Sequence, residues 1–221
     1  MTSGREVRVG RKLHSVIDKV YNLANLREAS RKVCSNKGAP GIDGLTVKSW
    51  KADEDRKLSG LRRLMLEDRY RSKPVKRSYI PKPGSRKKRP LGIPIIRDRV
   101  AQQAVAQKLI PAFEEIFFEG SHGFRPGRST HTAARRIEQL RREGYRYVVD
   151  LDVEAFFDRV DHEQLIRLVR QVVKDRRVLG LIRGWLKAGV MEEGKIRYQT
   201  SGTPQGGVVS PRTQKVTSSS L

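Results

Sequence analysis

The sequence predicts an α+β chain, and three observations carry that expectation. Apolar residues recur at helical spacing in several separate stretches; Tyr79-Ile80 and Leu91-Gly92-Ile93 flank a Lys82-Pro83-Gly84-Ser85 turn; and residues 145–153 alternate in side-chain character. Helices and strands therefore occupy different parts of one chain.

Leu13, Val16, Ile17, Val20, Tyr21 and Leu26 predict an amphipathic helix over residues 12–34. Residues 36–44 (NKGAPGIDG) hold three glycines and a proline and must be a loop. A second helical stretch covers 46–68, with Gly60 as its expected break. The turn at 82–85 then joins two short strands into a hairpin, which sets Lys82 and Arg89 on facing arms. Asp98 has the chemistry of an N-cap for a helix through Val100, Ala101, Ala104, Val105 and Leu109, and Pro111 should end or kink it. A basic, glycine-punctuated loop at 120–129 (GSHGFRPGRS) leads into a helix over 130–143. In 145–153, Tyr147, Val149 and Leu151 face one side and Val148, Asp150 and Asp152 the other, which predicts a strand with carboxylates at its end. Helices follow around Leu165–Val169 and Val178–Leu186, and residues 189–200 form a hairpin turned at Glu193-Gly194.

Lys and Arg number 47 against 24 Asp and Glu, a formal charge of +23, so the field around the chain attracts polyanions. The charge is uneven: residues 1–100 carry a net +17 and residues 101–221 a net +6. Between Arg69 and Arg89 stand ten cations and no acid, interleaved with Tyr70, Tyr79, Ile80 and Leu91 and five prolines through Pro94. That pattern suits an ordered ribbon that tracks phosphates, as against a merely solvated face. No apolar run approaches the roughly 18 residues needed to span a bilayer, and no apolar h-region follows the first charges. A cytoplasmic location is therefore expected. The single cysteine, Cys34, reads as a core thiol.

Asp150 and Asp152 would project from one strand face about 6–7 Å apart, given a rise of ~3.3 Å per residue. Such carboxylates can hold Mg²⁺, whose other positions water and substrate phosphates fill, or they can pair with Arg146 and Arg159. The residue types leave both open.

Four segments in fixed order decide more. IPKPGSRKKRPLGIPIIRDRVAQQAV (80–105), GFRPGRSTHTA (123–133), VVDLDVEAFFDRVDH (148–162) and GTPQGGVVSP (202–211) resemble successive blocks of the group II intron reverse transcriptase/maturase family. The earlier NKGAPGIDG resembles that family's N-terminal extension, so the likeness covers about residues 12–211. It implies the fingers and an incomplete palm of a right-hand polymerase. Residues 1–68 would be the N-terminal helical extension, 69–211 the fingers and first half of the palm, and 212–221 an aberrant polar tail.

The resemblance also implies roles. Asp152 matches the first metal-binding aspartate, with the Val153 carbonyl as a further ligand for Mg²⁺. Phe157 matches the aromatic that excludes a 2′-hydroxyl by volume, a buried core Phe being the alternative. Asp158, in the same motif, supports the loop. Lys82 and Arg89 match the cations that hold the incoming triphosphate, where a point charge and a fork neutralise developing charge. Gln205 matches the residue at the nucleotide sugar, and Arg125 one that positions template or nucleotide, unless it serves a structural ion pair. The implied function is RNA-directed DNA polymerisation, with an RNA template or intron RNA, a DNA primer and deoxynucleoside triphosphates as partners. One departure matters. The family supplies further carboxylates from a Tyr-Ala-Asp-Asp hairpin, and this sequence has no Asp-Asp pair. A truncated or frameshifted reading frame is the simplest account of RTQKVTSSSL, and little activity is expected of the chain alone. The rivals are a non-catalytic intron RNA-binding module and, more weakly, a Mg²⁺-dependent nuclease using Asp150 and Asp152.

Overall fold

Side-chain oxygens that satisfy free backbone amides mark where five of the helices begin. The computed structural model describes residues 12–81, 84, 86, 88–151, 160–198 and 202. The run expected as one N-terminal helix is two, α1 (Ile17–Val20) and α2 (Leu23–Ser35). Asn22 adopts an extended conformation between them and accepts a hydrogen bond from the Ala24 amide at 2.9 Å, so a new helix starts there. Thr46 caps α3 (Val47–Lys51) through the Ser49 amide. The break before α4 (Glu54–Leu66) falls at residues 52–53. Gly60 sits inside α4, open to solvent on its Cβ side, and breaks nothing.

The central element is α5 (Ile96–Glu114), with Val100, Ala101, Ala104 and Val105 at zero exposure. Its cap position is Ile95, which supplies no side-chain bond. Asp98 is therefore not a cap but a buried residue of the first turn. Pro111 does not end the helix; it faces solvent, where water can take up the carbonyl its missing N–H frees. Ser129 and Thr132 form a reciprocal capping box at the start of α6 (Thr130–Arg142). Asp161 caps α7 (His162–Val172), and Asp175 caps α8 (Arg176–Leu186).

Four strands make one mixed sheet in the order β2-β1-β3-β4: β1 (Val75–Pro81), β2 (Lys88–Ile93), β3 (Val190–Glu192) and β4 (Lys195–Arg197). The two expected hairpins are its antiparallel pairs, and β1 joins β3 in parallel at Val75↔Val190. Glu193 and Gly194 both have positive φ, 49° and 77°, as a two-residue turn between twisted strands requires. The predicted strand over 145–153 does not form among the described residues: 145–151 pair with no strand, and Tyr147 and Leu151 are 96% and 87% exposed. Alternation prepares a segment for a sheet, but only a neighbour's hydrogen bonds make it one.

One apolar cluster runs from Val16 through Leu26, Trp50, Leu58 and α5 to Leu165, Ile182 and Trp185, and Cys34 is buried in it. No helix among the described residues is long and apolar enough to cross a membrane.

Candidate nucleotide site and nucleic-acid interface

The basic ribbon becomes ordered because its two arms pair. In the β1–β2 register Ile80 lies opposite Arg89 and Pro81 opposite Lys88, so Arg89 shares a sheet face with Ile80 while Lys88 takes the other. Both cations are exposed at the open end of the hairpin. Lys82 lies outside the described residues. At its base the hairpin is tied to the second one: the Val75 amide donates to the Gly189 carbonyl at 3.0 Å, and the Tyr79 hydroxyl donates to Glu192. The bond to Glu192 holds the Tyr79 hydroxyl above its usual range.

The chain leading into β1 is held by a buried polar network that sequence reasoning missed. Asp98, 1% exposed, accepts from the Tyr70 hydroxyl at 2.8 Å, the Lys73 amide at 2.7 Å and Arg97 Nε at 3.2 Å. Trp185 Nε1 on α8 donates to the same Tyr70 oxygen at 3.0 Å, and the Arg97 guanidinium lies 5.3 Å from the Tyr70 ring centroid. Burial pushes the Asp98 carboxyl above its ordinary range and the Tyr70 hydroxyl well above its own. The segment leading into β1, α5 and α8 are thus joined through one Tyr70–Asp98 pair. Asp98 carried a signal in the sequence, a lone acid among cations, but its partners Tyr70 and Lys73 are 28 and 25 residues away.

Loop 36–44 folds against the start of α5. A Cβ on Gly41 would come within 2.7 Å of the Ile95 backbone, and Arg99 donates to the Ala39 carbonyl at 2.7 Å. Close approach thus requires the glycine at 41, and Arg99 is used up as a support.

Arg125 points inward. Its side chain is 6% exposed, bonds Glu114 at 2.9 Å, donates to the carbonyls of Phe118 and Ser121, and lies 5.6 Å from the Phe117 ring centroid. It staples the 118–125 loop to the end of α5, the structural ion pair among its two sequence-based roles. Asp150 lies in the exposed segment 145–151, which pairs with no strand among the described residues, whereas Asp152, Val153, Phe157, Asp158 and Gln205 lie outside the described residues. Among the described residues no three His, Cys, Asp or Glu side chains converge as a metal would need, so these residues alone do not form a Mg²⁺ site.

One contact joins the end of the aspartate-phenylalanine block to the start of the Pro-Gln-Gly block. The Gly202 amide donates to the Val160 carbonyl at 2.9 Å, and His162, 4% exposed, approaches the Gly202 carbonyl with Nε2 at 2.6 Å. A carbonyl only accepts, so Nε2 carries the proton. Gly202 has φ +84°, a conformation that favours glycine.

Comparison with known proteins agrees with this architecture. Residues 80–219 match the family model described as reverse transcriptase (RNA-dependent DNA polymerase). The chain is 41% identical over 192 residues to Protein YkfC of Escherichia coli K12, covering 84% of this chain and 50% of that protein. It is 40% identical over 185 residues to the group II intron-encoded protein LtrA of Lactococcus lactis subsp. cremoris, covering 83% of this chain and 30% of LtrA. A 94-residue stretch is 44% identical to nuclear intron maturase 1, mitochondrial, of Arabidopsis thaliana, covering 42% of this chain and 13% of the maturase. This chain therefore spans half or less of the length of these curated relatives. Among solved structures, a chain of a partial Cas6-RT-Cas1–Cas2 complex superposes with a TM-score of 0.60 at 24% identity, covering 92% of this chain and 34% of that one, a likeness of fold. The family match alone spans well over half of the chain, which belongs to the reverse transcriptase (RNA-dependent DNA polymerase) family, in the branch of group II intron-encoded proteins and intron maturases.

Proposed function

We propose that this chain is the template- and nucleotide-binding part of an RNA-directed DNA polymerase of the group II intron type. The observation that carries the reading is the β1–β2 hairpin, whose register sets exposed Lys88 and Arg89 at the open end of an anchored ribbon. An Arg fork there suits the triphosphate of an incoming deoxynucleotide, and Lys82 is proposed as its companion on the sequence motif alone. The wider ribbon from Arg69 onward would follow the phosphates of template or intron RNA. Phe157 would exclude a 2′-hydroxyl, Gln205 would contact the sugar, and the Arg125 staple would act indirectly, by fixing its loop. Asp152 and the Val153 carbonyl are proposed as Mg²⁺ ligands on the sequence motif, with the primer 3′-hydroxyl as the attacking group. The boundaries at 68/69 and 211/212 are proposed on the same basis.

The test is primer extension on poly(rA)·oligo(dT), with the 221-residue chain alone and with a polypeptide carrying a Tyr-Ala-Asp-Asp half supplied in trans. Extension is expected only in the second case, and Asp152→Asn should abolish it while RNA affinity stays within about twofold. Extension that survives Asp152→Asn would refute the assignment. The second reading, a non-catalytic intron RNA-binding module, is favoured by the exposure of segment 145–151 around Asp150, which pairs with no strand among the described residues. It predicts RNA binding with no extension in either case.

A further inference from the structure

Among the described residues the longest run of exposed apolar side chains lies at 145–151, where Tyr145, Tyr147, Val148, Val149 and Leu151 are 66% to 96% exposed. The segment takes no helix or turn, and among the described residues the backbone of 146–151 bonds to no other backbone group. As a strand it would carry Tyr145, Tyr147, Val149 and Leu151 on one face and Arg146, Val148 and Asp150 on the other. One face is apolar and the other charged. The segment starts at the end of α6, where the Tyr145 amide donates to the Leu140 carbonyl at 3.1 Å. Helix α6 has no buried residue, although Ala133, Ile137 and Leu140 recur on it at helical spacing.

We propose that this segment is an interface with a second copy of the chain: two 145–151 segments pair as antiparallel strands about a twofold axis at Val148. The order of the residues is complementary to itself in that register. Arg146 of each copy then lies opposite Asp150 of the other, Tyr147 opposite Val149, and Tyr145 opposite Leu151. Every charge meets its opposite, and each Tyr147 meets a β-branched side chain. Parallel in-register pairing would instead set Arg146 against Arg146 and Asp150 against Asp150, and a slip of one residue would bring the apolar face of one strand beside the charged face of the other. Both alternatives are penalised. A two-stranded ribbon by itself is marginal in water, so its tyrosine-bearing face needs a further apolar surface, which the uncovered stripe of α6 in each copy supplies. The pairing is independent of any polymerase role.

The test is sedimentation velocity of the full 221-residue chain, freed of nucleic acid by nuclease treatment, over about 1 to 100 μM, a range that brackets a micromolar dimer. About 0.15 M KCl is used, because a Debye length of ~8 Å screens the net +23 of each chain more than a charge pair in contact. Wild type should pass from monomer to dimer across the range. Arg146→Asp sets acids opposite acids and Asp150→Arg sets cations opposite cations, so each should raise the dimer dissociation constant about tenfold or more, although one lowers the net charge and the other raises it. The double variant Arg146→Asp/Asp150→Arg exchanges the two charges and should return the constant to within about threefold of wild type. Both positions are exposed, so thermal melts should not move. Val148→Cys, at the twofold axis, should form a disulfide-linked dimer on oxidation, whereas wild type, whose Cys34 is buried, should not. Hydrogen exchange of amides 146–150 should slow as the protein concentration rises. A chain that stays monomeric throughout, or a dimer indifferent to the single reversals or not restored by the double one, would overturn the proposal. So would protection of 146–150 that is the same at every concentration, which would assign the segment a partner within its own chain.

Discussion

At the scale of single residues, two buried aspartates show how surroundings set opposite behaviour. Asp175 accepts four backbone amides, Val16 and Ile17 at the start of α1 through one oxygen, Arg177 and Val178 at the start of α8 through the other. Burial alone would raise its carboxyl, but those four N–H donors outweigh it and hold the group below its ordinary value of 3.8. The folded state then releases this proton more readily than the unfolded one, so the stabilisation is full above about pH 4 and fades as pH falls below it. Asp175→Ala, which uncaps two helices, should cost about 2–3 kcal/mol at pH 7, and the gap from wild type in urea midpoints should narrow by pH 3. Asp98 has the reverse sign. Burial raises its carboxyl, so its contribution is largest below 3.8 and declines as pH rises through the raised value. Asp98→Ala strands the Tyr70 hydroxyl and the Lys73 amide, and we expect a loss of about 2–4 kcal/mol with looser protection of residues 70–76, read by hydrogen exchange. Asp175's cap on α8 is local, but its tie to α1, 158 and 159 positions away, was not legible, nor was the Asp98 network.

At the scale of elements, glycines separate what a helix tolerates from what packing forbids. Gly60 in α4 has nothing within 4 Å of the place a methyl group would take, so Gly60→Ala should raise stability by about 0.5–1 kcal/mol. Gly41→Ala drives a methyl to 2.7 Å from the Ile95 backbone and should cost about 2 kcal/mol or more, thermal melts of both variants giving the comparison. The sequence marks both positions, but a glycine in a helical run reads as a break, which Gly60 is not. The real breaks, at 21–22 and 52–53, lie where Asn22 supplies a cap and where the chain turns at Ala52-Asp53 into α4. The hairpins were legible because turn chemistry and strand pairing are local there. The strand expected over 145–153 does not form among the described residues, since a strand needs a partner and its own pattern cannot provide one. Helix α6 repeats the lesson: its capping box and the Glu138 pairs with Arg141 and Arg142 support it locally, yet none of its residues is buried and Ile137 is 61% exposed.

For the whole molecule, charge and core lead to different predictions. With a net +23, RNA binding should weaken steeply with salt, each phosphate contact adding about −0.7 to −0.9 to the log–log slope. Arg89→Gln should flatten the slope by about one contact and leave the melting temperature within a degree or two, because the residue is exposed; filter binding between 50 and 300 mM KCl reads the difference. A flat salt profile would remove the phosphate-tracking role. Leu26, Trp50 and Leu58 pack in the same cluster as Val100, Leu165 and Trp185, so the N-terminal helices should melt together with α5, α7 and α8 in one transition. By itself the sequence determined the α+β class, the strongly basic charge, both hairpins and the family, because composition, turn residues and contiguous motifs are properties of neighbouring residues. Tertiary structure alone decided that Arg125 serves as an internal staple, that Asp98 anchors the ribbon, and that His162 meets Gly202. Those outcomes depend on contacts between residues 11 to 40 positions apart, and no local pattern encodes which distant groups a folded chain will bring within 3 Å.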